Sequence, residues 1–225
     1  MQMIISVVNS KGGVGKTTLS AALAVRAAQD YKRVCMVDLD PQRSLVNWWK
    51  RRGSPHGENE PVILEGVDSA EDAAERIAMT GWDVCFLDGP PAFLMKIQEM
   101  VEVSDFVLIP VKPSMLDVLA TQDAVVLTRE AGTEFMCVIN DAGENEKRLI
   151  KSTKQTLFNA NVPIAEAEIF HRKEHIIGMG IGKSAAEVGN DAAASEIDRL
   201  WKELKAAAQK AAKAKSKKAK VANVG

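Results

Sequence analysis

The chain has 225 residues, 46 % hydrophobic and 26 % charged, which suits one sizeable buried core and leaves little room for a second domain. Its 29 basic and 30 acidic residues nearly cancel, to a formal net charge of −1, so the total charge marks no class of partner. Three cysteines about fifty residues apart form no close metal-binding pair and fit a reducing compartment, and no apolar run approaches the roughly 18 residues of a bilayer span.

The first apolar run, Met3 to Val8, predicts a buried strand, and a helical pattern opens at Lys16. Between them lies Lys11-Gly12-Gly13-Val14-Gly15-Lys16-Thr17-Thr18, a phosphate-binding loop in its required strand-loop-helix context. Glycines 12, 13 and 15 free the backbone to turn successive N–H groups onto phosphate oxygens, and the helix N-terminus adds its positive dipole end. Lys16 supplies a point charge for the β- and γ-phosphates, and the Thr17 hydroxyl is placed to ligate Mg²⁺. A plain glycine turn that happens to precede Lys-Thr is the bland alternative, and the context weighs against it.

The next run, Arg33 to Gln42, ends in two aspartates, Asp38 and Asp40. In a parallel sheet covered on both faces, ligands sit beyond the carboxyl ends of the strands, so these carboxylates face the phosphates. The competing reading is that they cap a helix predicted over Ser44 to Arg52. Pro55 to Pro61 reads as a surface loop. A third run, Val84 to Leu87, ends at Asp88-Gly89-Pro90-Pro91, the Walker B arrangement in which a strand-end carboxylate holds a Mg²⁺ water. Phe106 to Val111 and Phe135 to Ile139 are two further strands, the second ending at Asn140, a residue equally at home in a turn. Cys35, Cys85 and Cys137 each fall inside a strand run and are predicted core thiols. The fold class is therefore α/β, a P-loop NTPase with a mostly parallel twisted sheet and helices on both faces.

The string Lys-Gly-Gly-x-Gly-Lys-Thr-Thr, followed in order by Asp38-x-Asp40-Pro41-Gln42 and Asp88-x-Pro90-Pro91, resembles the deviant Walker A ATPases of the ParA/MinD family. The resemblance covers about residues 1 to 200 and is nearest to small ParA-type partition ATPases, whose run resembles Asp40 to Trp48 here. It leaves no room for the N-terminal helix-turn-helix extension of longer ParA proteins. It implies ATP and Mg²⁺ as cofactors and a face-to-face ATP-dependent homodimer in which Lys11 reaches the partner's nucleotide. It further implies that Asp40 orients the attacking water, that Asp38 supports the Mg²⁺ shell with Thr17 and Asp88, and that Asn140 contacts the adenine base. Pro110 to Asp117 resembles a segment lying near the nucleotide and dimer face. The function so implied is DNA partitioning, plasmid or chromosomal. The dimer binds non-specific DNA on the nucleoid and is released when a ParB-like or small centromere-binding adaptor stimulates slow hydrolysis. The alternatives are a MinD-like membrane-associated ATPase, a ParA-like ATPase positioning a protein cargo, and a nucleotide-dependent scaffold.

The basic charge is concentrated at the end of the chain. Residues 199–220 hold nine Lys or Arg and one Glu, a local excess of eight. Residues 205–225 are accordingly set apart as a basic Lys/Ala-rich tail behind an ATPase domain over 1–204. A DNA-facing element that works by counterion release and a frayed, solubilising helix are both compatible with that composition. Ile197, Leu200, Trp201 and Leu204 are expected to pack the last helix onto the body. The stripe continues only as alanine, so no stable membrane association is expected. Lys147, Arg148, Lys151 and Lys154, with the trio at 171–173, are further candidates for a DNA surface. A cytoplasmic, nucleoid-associated protein is the expectation.

Overall fold

The computed structural model describes residues 2–53 and 59–222, with side chains up to residue 216; the loop expected over 55–61 lies largely outside them. The strands are β1 (Met3–Val7), β2 (Val34–Asp38), β3 (Val62–Ile63), β4 (Val84–Asp88), β5 (Phe106–Val111), β6 (Glu134–Ala142) and β7 (Ile164–Phe170). They form one sheet in the order β3-β2-β4-β1-β5-β6-β7, and every neighbouring pair is parallel. The chain leaves β1 towards β2, returns to β4, then crosses β1 to reach β5, so a crevice opens at the carboxyl ends of the central strands.

The helices are α1 (Lys16–Ala28), α2 (Ser44–Arg52), α3 (Ala70–Thr80), α4 (Leu94–Val103), α5 (Met115–Glu130), α6 (Lys147–Asn159), α7 (Lys173–Ile181) and α8 (Asp191–Ala222). Strand residues alternate between two cores. Ile5, Met36, Phe86 and Leu108 join α1, α2 and α8 on one face, while Cys35, Val37, Leu87 and Ile109 join α3, α4 and α5 on the other. Burial on both faces is why these strands read as unbroken apolar runs. All three cysteines are buried and free, as expected of core thiols.

Two features differ from the sequence reading. First, the division after residue 204 falls inside one continuous helix. Ile197, Leu200, Trp201 and Leu204 are buried as expected, but so are Ala208, Ala211 and Ala212. Alanine at helical spacing lets α8 lie close against the sheet, so a composition that looked like a tail is a packed surface at least to residue 212. Lys205 pairs with Asp30, and Gln209 bonds the Tyr31 hydroxyl. Lys215 donates to the Ser104 carbonyl at 3.0 Å. Second, the structure adds strand β7, whose glutamates interleave with apolar residues and so break the unbroken apolar run that marks the central strands. It closes one end of the sheet, and α8 covers its backbone: Glu203 accepts from the amides of Glu166 and Ala167, and Glu196 from that of Phe170. Those carboxylates occupy donors that an edge strand would otherwise offer to another chain.

Candidate nucleotide-binding site

The loop leaving β1 is pinned before it turns. Buried Asn9 donates to the Pro110 carbonyl at 2.9 Å and accepts the Lys11 amide at 2.8 Å. Gly15 caps α1 in the left-handed region, at φ 91°, and a Cβ there would stand 2.2 Å from Asn140 Nδ2. Only glycine satisfies both the dihedral and the contact. Asn140, at the far end of β6, donates from Nδ2 to the Val14 carbonyl at 2.7 Å, buttressing the loop from behind. Lys16 lies beneath the loop with its ammonium 3.0 Å from the Lys11 carbonyl. Desolvation lowers its pKa, against the opposing pull of Asp88 and Asp40.

Beta strands 2 and 4 pair in register so that Asp38 stands beside Asp88. Asp88 is fully buried and accepts from Thr17 Oγ1 at 2.7 Å and Ser20 Oγ at 3.1 Å. Burial above all, with Asp38 alongside, pushes its pKa up to about 7, in spite of those hydroxyls and Lys16. Asp38 is also raised by burial, and its two oxygens accept from the Asp40 and Val46 amides. The Val46 bond lies in the first turn of α2, so the helix-capping reading holds for Asp38 as a second duty beside its place at the site. Asp40 instead lines the open cleft, its Oδ1 accepting the Gln42 amide. Two crowded carboxylates and a hydroxyl are hard oxygen donors, the kind of partial site Mg²⁺ takes when phosphates complete its shell.

Two recesses that share Gly13, Gly15 and Thr18 in their walls flank the loop. One, of about 250 Å³, is lined by Gly12, Gly13, Lys16, Thr17, Asp40 and Pro91. The other, of about 320 Å³, lies behind Gly13, Gly15 and Thr18 and includes Asn140, Phe170, His175 and Met179. Lys11, just before the loop glycines, pairs with Asp117 Oδ1 at 2.8 Å, and the Asp117 amide donates in turn to the Ser114 hydroxyl at the start of α5. The structure therefore gathers Lys11, residues 12–18, Asp38, Asp40, Asp88 and Asn140 around one crevice. It also adds residues 169–179, which sequence reasoning missed as part of the site because α7 carries no phosphate or metal motif. Arg172 departs from the expected surface trio. Its guanidinium is turned inward, 2.6 Å from Glu196 and 3.1 Å from Glu144, while His171 and Lys112 share Asp141.

Residues 5–200 match the family described as the CobQ/CobB/MinD/ParA nucleotide binding domain. The chain belongs to that family. A ParA/MinD-family relative from Gloeobacter kilaueensis, named maintenance of carboxysome distribution protein A, is 30 % identical over 218 residues, 88 % of this chain and 95 % of the relative. Protein ParA of Rhizobium radiobacter is 24 % identical over 206 residues, covering 86 % of this chain and 91 % of that one. Among solved structures, MinD of Pyrococcus horikoshii complexed with Mg-ADP superposes with a TM-score of 0.70 at 21 % identity, over 90 % of this chain and 96 % of that chain. That likeness carries the fold, the P-loop architecture shared by ParA/MinD ATPases. No described helix is long and apolar enough to cross a membrane.

Proposed function

We propose that this ParA/MinD-family ATPase positions a cargo by cycling between an ATP-bound dimer on non-specific DNA and free subunits. The observation that carries the reading is Lys11. It immediately precedes the loop glycines that line the phosphate recess, and its side chain is 38 % exposed and held by one carboxylate, free to turn towards a second subunit. Family membership and the ATPase relatives support ATP as the ligand. The Asn140 geometry is compatible with adenine: Nδ2 is committed to Val14, which leaves Oδ1 to accept from a donor on the base such as the 6-amine of adenine.

In this reading Lys16 and the loop amides hold the β- and γ-phosphates, and Lys11 releases Asp117 to reach the partner's nucleotide. Asp40, the carboxylate open to the cleft, orients the attacking water. Thr17, Asp88 and Asp38 would hold Mg²⁺, which when bound neutralises charge on the phosphate oxygens. Hydrolysis then removes the γ-phosphoryl group from between the subunits and they part. The exposed lysines of α8, Lys210 and Lys213 among them, support the DNA contact through counterion release.

For the cargo, the Gloeobacter relative, aligned over 95 % of its length, favours a protein assembly, and the Rhizobium ParA supports DNA partitioning as the second reading. A cargo-bound adaptor would stimulate release in either case. Membrane docking through α8 is disfavoured because Leu200, Trp201 and Leu204 are buried in the body. The test is binding to random-sequence duplex DNA at fixed moderate salt with ATP, ADP or no nucleotide, for wild type and Lys11→Ala. ATP-dependent binding lost in the variant is expected; no binding in any state would overturn the proposal.

A further inference from the structure

We propose that His175 contacts the base of the bound nucleotide directly and helps to set base specificity, an inference that rests on the assignment of ATP to this site. The recess behind the loop is walled largely by apolar groups, Leu19, Ile169, Phe170, Ile176 and Met179, which suit the faces of a flat heteroaromatic ring. Its charged side chains are already engaged: Arg172 is held by Glu196 and Glu144, and Asp141 by Lys112 and His171. Asn140 donates from Nδ2 to Val14 and keeps Oδ1 for the base. His175 differs from both: its two ring nitrogens are buried, and neither has a hydrogen-bond partner among the described residues.

A buried polar group left unmatched costs stability, so one persisting in the wall of a ligand recess calls for a partner from outside the protein. The chemistry of the ring narrows what that partner is. Burial lowers the His175 pKa and outweighs Glu196, Asp141 and Glu174, with Arg172 acting in the same direction as burial. The imidazole is therefore neutral near pH 7, with one N–H to donate and one lone pair to accept. A purine edge carries ring nitrogens that accept and, in adenine, an amine that donates, so it can engage either nitrogen. In the proposed binding mode the phosphates occupy the other recess, lined by Lys16 and Thr17, and leave His175 to the base.

The experiment measures calorimetric binding of Mg·ATP and Mg·tripolyphosphate to wild type, His175→Phe and His175→Gln, with melting temperatures of the nucleotide-free proteins. Phenylalanine keeps the ring shape and removes both nitrogens. We expect it to weaken ATP binding about tenfold, to leave tripolyphosphate binding unchanged, and to raise the ligand-free melting temperature by about 2–4 °C. Glutamine, which retains a donor and an acceptor, should recover part of the ATP affinity. Equal ATP affinity in wild type and His175→Phe, or parallel loss for ATP and tripolyphosphate, would overturn the inference. A wild type that binds tripolyphosphate but not ATP would instead sink the assignment of ATP itself.

Discussion

Asp88 shows how a single residue can be costly to an empty site. Its carboxyl titrates near 7 in the folded chain, against about 3.9 in an unfolded one. Between those values the folded state holds a proton that the unfolded state has lost, so stability falls as pH rises from about 4 to 7. The penalty is full above pH 7 and absent below about 4. Asp88→Asn should therefore stabilise the nucleotide-free protein at pH 8 by on the order of 2–4 kcal/mol and change it little at pH 4. Thermal melts at the two pH values check this, and equal shifts would show that the carboxylate is not under strain. The string ending at Asp88 was legible in the sequence because a strand-end acid after an apolar run is a local pattern. The pressure on its pKa was not, since it comes first from complete burial in the packed sheet and then from Asp38, fifty residues away, brought alongside only by strand pairing.

At the scale of elements, α8 decides where the body of the protein ends. Asp30 gathers Arg26, Trp201 and Lys205, and their hydrogen bonds overcome the effect of burial to hold its pKa well below the usual range. It anchors α8 to the end of α1, and the alanines at 208, 211 and 212 extend the contact. Truncation after residue 204 should cost about 2–3 kcal/mol, from the lost alanine methyls and the Gln209 and Lys205 bonds. Urea denaturation of the shortened chain measures it; an unchanged midpoint would restore the picture of a detached tail. Composition misled here because alanine is neutral in a hydrophobicity pattern, while in a packed helix its small size is what permits close approach. By contrast, α2 was predicted over the span it occupies, Ser44–Arg52.

For the whole molecule, the carboxyl ends of β4 and β5 turn their following helices towards one face. Phe93, Leu94 and Met95 at the start of α4 and Met115, Leu116 and Leu119 on α5, the helix whose Asp117 holds Lys11, are all exposed. Exposed apolar side chains of this kind suit closure against a second copy of the same face. Leu116→Asp should leave ATP binding by the monomer intact and abolish the proposed ATP-dependent dimer at tens of micromolar protein. Light scattering with ATP and with ADP reads the difference, and a dimer that persists in the variant would place the interface elsewhere.

The sequence by itself determined the phosphate loop, the aspartates at the ends of two strands and the doubly covered parallel sheet. Each of these is encoded within a dozen neighbouring residues by glycine freedom, strand burial or a chain-end charge. Packing over long sequence separations settled the recess behind the loop, the inward turn of Arg172 and the course of α8. The Asn140 bond to Val14 spans 126 residues, and the Trp201 bond to Asp30 spans 171. Contacts of that separation depend on how the sheet orders its strands, and short-range periodicity carries no record of that order.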